Sequence, residues 1–273
     1  MKRIGHYLGV IFIMFWGLAP FYWMLITALR HKSHTFDTTP WPTHVTLDNF
    51  RDAMSTSKGN DFLGAIGNSL IISLATTSLA VIVGVFTAYA LARMQFPGKG
   101  IITGIILAAS MFPGIALVTP LFQLFGDLNW IGTYRAMIIP NISFALPLTV
   151  YTLVSFFQQL PWELEEAARV DGATRGQAFR LILLPLAAPA IFTTAIIAFI
   201  TTWNEFMLAR QLSNTSTEPV TVAIARFSGP SAFEYPYAAI MAAGSLVTIP
   251  LIIMVLLFQR RIVSGLTAGG VKG

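Results

Sequence analysis

The chain is short of charge and has no cysteine. Of its 273 residues, 17 are Lys or Arg and 12 are Asp or Glu, so 11% are charged, where soluble domains carry roughly a quarter. A soluble enzyme, a disordered chain and a nucleic-acid binder with a solvated basic patch are all excluded by that shortage. The absence of Cys removes disulfides, thiol nucleophiles and Cys-ligated metals. All four His precede residue 45 and no HExxH occurs, so His31 and His34 are expected in a solvated loop and no metal site is predicted. No GxSxG is present. Pro97-Gly98-Lys99-Gly100 lacks the upstream glycine and the following Ser/Thr of a phosphate loop, so the chain is expected neither to hydrolyse ATP nor to bind a cofactor itself.

What the chain has is apolar length. Hydrophobic residues make up 55%, about 150 in all, while six membrane helices of about 20 residues need about 120. Six stretches qualify: 7–29, 68–92, 101–125, 136–157, 186–208 and 238–258. Lipid offers backbone groups no partner, and no barrel-strand alternation is present, so an all-α membrane protein of six spans is predicted. Lys2 and Arg3 resemble the start of a signal peptide, but the apolar run is too long and lacks a clean small-x-small site, so a retained helix is expected. With both termini on one side, that side carries ten of the Lys and Arg and the other seven, which puts the termini in the cytoplasm. Outer loops then cover 30–67 and 209–237, a cytoplasmic segment covers 158–185, and a cytoplasmic tail covers 259–273.

Prolines interrupt the spans: Pro113 and Pro120 in the third, Pro140 and Pro147 in the fourth, Pro250 in the sixth. They are either the proline that membrane helices ordinarily tolerate or the kinks of a bundle that lines a cavity and rocks. Glu205 is the acid that falls inside a predicted span. It sits either at the interface or, with Asn204 and more weakly Asn68 and Asn141, along a polar pathway. The loop at 209–237, with Phe227, Phe233, Tyr235 and Tyr237, is either a connector with belt aromatics or a contact for a soluble partner.

The most informative stretch runs from Leu160 to Pro185. Pro161 suits a first helical turn, and Glu163, Glu165 and Glu166 suit its positive end. Gly172 is placed to stop that helix, and Thr174 to cap a second, which Pro185 separates from the fifth span. The product is a helix–turn–helix knob, too charged for lipid and too apolar to idle in water, built for another protein or for the lipid headgroup layer.

Glu166-Ala167-Ala168, three residues, Gly172, nine residues and Ile182-x-Leu184-Pro185 resemble the EAA signature of ABC-importer permeases, with spacing intact. The stretches 88–99, Trp203–Phe206 and 265–273 resemble the maltose/trehalose-type carbohydrate branch of that family, in its second, MalG-like subunit, and the likeness covers essentially the whole chain. The resemblance implies one permease domain over 1–273 and a type I importer permease fold. It implies that Glu163, Glu166, Ala167, Ala168, Asp171, Gly172, Phe179 and Pro185 form the coupling element that docks on an ATP-hydrolysing subunit. Glu166 would make the polar contacts, the two alanines would permit close approach, and Gly172 would shape the turn. Thr267 to Gly273, a frayed glycine-rich end on composition alone, would insert between ATPase subunits. Implied partners are a MalF-like second permease, two ATPase copies carrying ATP and Mg, an extracytoplasmic sugar-binding protein or lipoprotein, and the lipid of a bacterial or archaeal inner membrane. The implied activity is sugar import by alternating access, of a disaccharide such as trehalose or maltose, with glycerol-phosphate-type and monosaccharide substrates open. An ion-coupled transporter working alone is the competing reading, weakened by its lack of midplane ionisable residues.

Overall fold

A computed structural model describes the backbone of residues 2–55, 61–227 and 235–270, and the side chains of 5–55, 61–227 and 235–258. In chain order the helices are α1 (Lys2–Leu29), α2 (Asp48–Met54), α3 (Phe62–Arg93), α4 (Lys99–Ser110), α5 (Val118–Asp127), α6 (Tyr134–Gln159), α7 (Glu163–Val170), α8 (Arg175–Ala178), α9 (Leu184–Trp203), α10 (Met207–Leu212), α11 (Val220–Ala225) and α12 (Tyr237–Gly270). No strand occurs among the described residues; Arg30 and Val45 form an isolated bridge.

Five helical stretches are long and apolar enough to cross a bilayer: Gly5–Leu29, Phe62–Arg93, Tyr134–Gln159, Arg175–Trp203 and Tyr237–Phe258. The remaining predicted span, 101–125, is not one helix. It is a pair, Lys99–Ser110 and Gly114–Asp127, bent by 89°. Pro113 has no N–H to give and forces the residue before it away from the helical region. Its φ and ψ of −69° and 113° are extended. The fifth span also ends sooner than predicted, at Trp203, because the chain turns through Asn204–Phe206 before α10.

The chain divides into two compact units, Met1–Ile66 with Val222–Ile252, and Gly67–Thr221 with Ile253–Gly273. In the first, the segment after α1 is folded rather than loose. Arg30, 1% exposed, lies 5.1 Å over the Trp23 ring and donates to the Asp37 and Thr39 carbonyls. Asn49 donates to the carbonyls of Ala28 at 2.9 Å and Arg30 at 2.6 Å, tying α2 to the end of α1. Phe62 and Phe227 meet edge to face at 5.8 Å.

The second unit is built on α3, α6 and α9. Their apolar windows are 39%, 44% and 39% buried, against 6% for α1 and 11% for α12, whose bare apolar flanks suit lipid or another chain. Ala80, Gly84, Ala88 and Ala92 recur every fourth residue along α3 and are all buried, a small-residue stripe of the kind that lets membrane helices approach closely. Ala80 meets Ala145 of α6 and Ala198 of α9 at one level. Further along, Val85, Ala88 and Ala92 pack with Leu153, Phe157, Phe179, Leu183, Ala187 and Ala190. The approach of α3 to α6 is close at Gly84, where a Cβ would stand 2.5 Å from Thr149 Cγ2.

Candidate functional site

Between α6 and α9 the chain builds the predicted knob. α7 starts after Pro161-Trp162 and ends at Gly172, whose φ of +89° is the left-handed conformation glycine takes without steric cost. Thr174 caps α8: its Oγ1 accepts from the Gln177 N–H at 3.3 Å, and the Gln177 Oε1 accepts from the Thr174 N–H at 2.7 Å. Pro185 does not separate the knob from α9 as expected. Helix continues from α8 into α9 through a π turn, Phe179–Leu183, in which the Leu184 N–H reaches back to the Phe179 carbonyl. The wider turn lies directly before Pro185, which has no N–H to give to the helical ladder.

Glu163, Glu166, Ala167, Asp171 and Gly172 are exposed, and so is Pro185; Ala168 and Phe179 are buried in the chain's own core. Exposed Trp162, Val170 and Leu181 add an apolar fringe. The surface therefore offers three carboxylates, a bare turn and apolar side chains together, a mixture suited to a protein partner. Glu165, read with Glu163 and Glu166 as suiting the positive end of α7, is 8% exposed. The signal that could have found it is its helical spacing with Ala168, which places both on the inner face.

The pathway candidates separate. Asn68 is a clasp: its Nδ2 donates to the carbonyls of Ser216 at 3.1 Å and Glu218 at 3.0 Å, and its Oδ1 accepts from Tyr134 Oη at 2.6 Å. Asn204 is exposed and donates back into α9, to the Ile200 carbonyl at 2.8 Å. Glu205 caps α10, accepting from the Leu208 N–H at 2.7 Å and the Ala209 N–H at 2.9 Å. Burial pushes its carboxyl up, against the pull of the backbone N–H groups that hold it. Glu205 and Asn141 do share one crevice, with Ser69, Ser73 and Thr202, whose free space of about 10 Å³ is room for about one water. Ser69 and Ser73 were not singled out by the sequence, since serines at helical spacing are common in spans. Ser73 Oγ is buried there without a partner.

Other expectations are redrawn by the helices. The predicted loop 209–237 carries the end of α10 and all of α11, and α3 begins at Phe62, inside the predicted loop 30–67. α12 is helical through Thr267 to Gly270, so the tail is not frayed there; Gly273 and Phe233 lie outside the described residues. Among the described residues no group of three or more His, Cys, Asp or Glu could hold a metal ion.

Residues 80–267 match the family described as binding-protein-dependent transport system inner membrane component. The chain belongs to it. It is a multi-pass membrane permease subunit, not an enzyme. It is 46% identical over 259 residues to the trehalose transport system permease protein SugB of Mycobacterium tuberculosis, covering 94% of this chain and 93% of that one. It is 41% identical over 275 residues to the trehalose/maltose transport system permease protein MalG of Thermococcus litoralis, covering 100% and 98%. Among solved structures, a chain of a bacterial ABC transporter that imports the acidic polysaccharide alginate superposes with a TM-score of 0.77 at 20% identity, covering 95% of this permease and 96% of that chain. The permease thus shares its fold with an ABC importer subunit.

Proposed function

We propose that the chain is the MalG-like permease subunit of an ATP-driven importer of a disaccharide of the trehalose or maltose type. The observation that carries this reading is the end-to-end likeness to two permeases named for trehalose, at 46% and 41% identity. In this reading six spans cross the membrane, the bent pair α4–α5 counting as one, and both termini are cytoplasmic. The knob is the EAA coupling element, and Glu163, Glu166, Ala167, Asp171 and Gly172 face an ATPase subunit. Ala168 and Phe179 seat the knob on its own spans, and Pro185 with its π turn fixes the angle of exit. Two copies of the ATPase, carrying ATP and Mg, draw this knob and that of a MalF-like partner together and turn a shared cavity outward. A sugar-binding protein or lipoprotein delivers substrate to the 209–237 segment, and hydrolysis returns the cavity inward. The tail residues Thr267 and Gly273 contact the ATPase pair.

The bareness of α1 and α12 supports a multi-chain assembly, because each has an apolar flank free for lipid or for the second permease. The test is purification from native membranes in mild detergent, with partners identified by mass spectrometry. An ATPase and a second permease are expected, together with hydrolysis stimulated by trehalose or maltose in the presence of the binding protein. Recovery of the chain alone, transporting under an ion gradient, would overturn the reading.

A further inference from the structure

Where α3 ends and α7 begins, a set of polar side chains is buried that the coupling surface does not use. Arg93 closes α3 and is 6% exposed, and Glu165 on α7 is 8% exposed. Tyr89 Oη, one turn before Arg93, donates to Glu165 Oε1 at 3.2 Å. Arg93 Nη2 donates to the Leu160 carbonyl at 2.5 Å, just past the end of α6, and its guanidinium lies 4.4 Å over the Trp162 ring. The end of α6, the connector and α7 are thus all fastened to the last turn of α3.

What this leaves over is as telling as what it joins. Glu165 Oε2, Arg93 Nε and Arg93 Nη1 are buried with no hydrogen-bond partner. Arg93 and Glu165 form no ion pair with one another. Buried ionic groups left unpaired are costly. Here the orphaned donors and the orphaned acceptor are complementary, and they belong to two elements, a span and the knob on which the proposed mechanism pulls.

The geometry points to a two-position joint. Arg93 and Glu165 are positioning residues that hold the knob to α3, open in this structure, and they close into a direct ion pair when the knob is displaced. A pair made in one position and absent in the other biases the equilibrium toward the position that makes it. Force applied to the knob then reaches α3 directly, at Arg93, as well as α9 through the continuous helix. The inference rests on the coupling reading above and adds the residues that carry the movement into the spans.

The test uses the whole transporter, purified with its partners and reconstituted in vesicles, as wild type, Glu165→Gln, Arg93→Gln, the double variant and Tyr89→Phe. Two quantities are read: ATP hydrolysed per sugar carried, and ATPase subunit retained per permease. Each single charge variant is expected to raise ATP per sugar by about fivefold or more, with retention unchanged. In ATP per sugar the double variant is expected to be no worse than the worse single, because either substitution already removes the ion pair on which that ratio depends. Transport and hydrolysis falling in step, with the ratio at its wild-type value, would mean a purely structural role and overturn the proposal, as would effects that multiply in the double variant. If the charge variants do not assemble, Tyr89→Phe decides: it removes one hydroxyl, and a raised ratio supports the joint while an unchanged ratio overturns it. A wild-type permease that retains no ATPase overturns the coupling reading, and the joint with it.

Discussion

Gly84→Ala offers a sharp test of how the three central helices are held. Its new Cβ would lie 2.5 Å from Thr149 Cγ2, where carbon atoms at rest stand about 3.5–4.0 Å apart. Something must give by about 1 Å, and Thr149 is poorly placed to yield. It is 1% exposed, it is β-branched, and its Oγ1 is committed to the Ala145 carbonyl at 2.8 Å. Overpacking of this kind costs about 1–3 kcal/mol, offset by about 0.5–1 kcal/mol from replacing glycine in a helix. Gly67→Ala supplies the control, since it lies on the same helix and its Cβ would meet nothing within 4 Å. It should gain the propensity term alone. The two variants should therefore differ by about 1–3 kcal/mol, or several degrees in the melting temperature of the purified protein. Thr149→Ser deletes Cγ2 and keeps the hydroxyl, so Gly84→Ala with Thr149→Ser should recover most of the loss. If Gly84→Ala melts with Gly67→Ala, or the serine does not rescue it, the close approach of α3 and α6 is wrong.

Three further outcomes are expected. Asn68→Ala removes the amide that donates to the Ser216 carbonyl and to the buried Glu218 carbonyl and should cost about 1–3 kcal/mol in thermal unfolding; a variant as stable as wild type would refute the clasp. Gly172→Asn should be tolerated and Gly172→Val should not, because no atom stands within 4 Å of its Cβ position and only the backbone at φ +89° objects; retention of the ATPase on purification reads the difference, and equal effects would point to a steric cause. Glu205 has its carboxyl raised by burial, so its stability contribution is present at low pH and lost as pH rises through the raised value; the difference in melting temperature between wild type and Glu205→Gln should shrink as pH falls, and a pH-independent difference would refute it.

The sequence made the long apolar helices, the start and turn of the knob and the capping threonine legible, because each is written in local chemistry. Pro161, Gly172 and Thr174 act on the residues beside them, and twenty apolar residues declare a span on their own. Pro113 was visible as an interruption, but a proline does not say whether a helix kinks mildly or folds back by 89°; that depends on what each half packs against. Leu186 to Leu208 read as one span since the pair Asn204-Glu205 is flanked by apolar residues, and only the capping bonds of Glu205 to Leu208 and Ala209 show that a new helix starts there. Of the polar candidates, Asn68 looked like a pathway residue because type and position say nothing of partners 148 and 150 residues away. Glu165 and Arg93 were opaque for the same reason: burial of a charge is decided by elements distant in the chain.

The π turn at Phe179–Leu183 has a bearing on the phase of the helix that follows it. Each residue of an α-helix advances the face by about 100°, and the turn slips the ladder by one residue, since the Leu184 N–H bonds five residues back rather than four. Upstream and downstream faces are therefore set on different clocks. Ala187, Ala190, Thr194 and Ala198 point into the protein because of that slip, whatever direction Ala178 is committed to by the capped turn before it. A single-residue deletion between 179 and 183 would leave a perfectly good helix and rotate its buried face by about a quarter of a turn, toward the lipid.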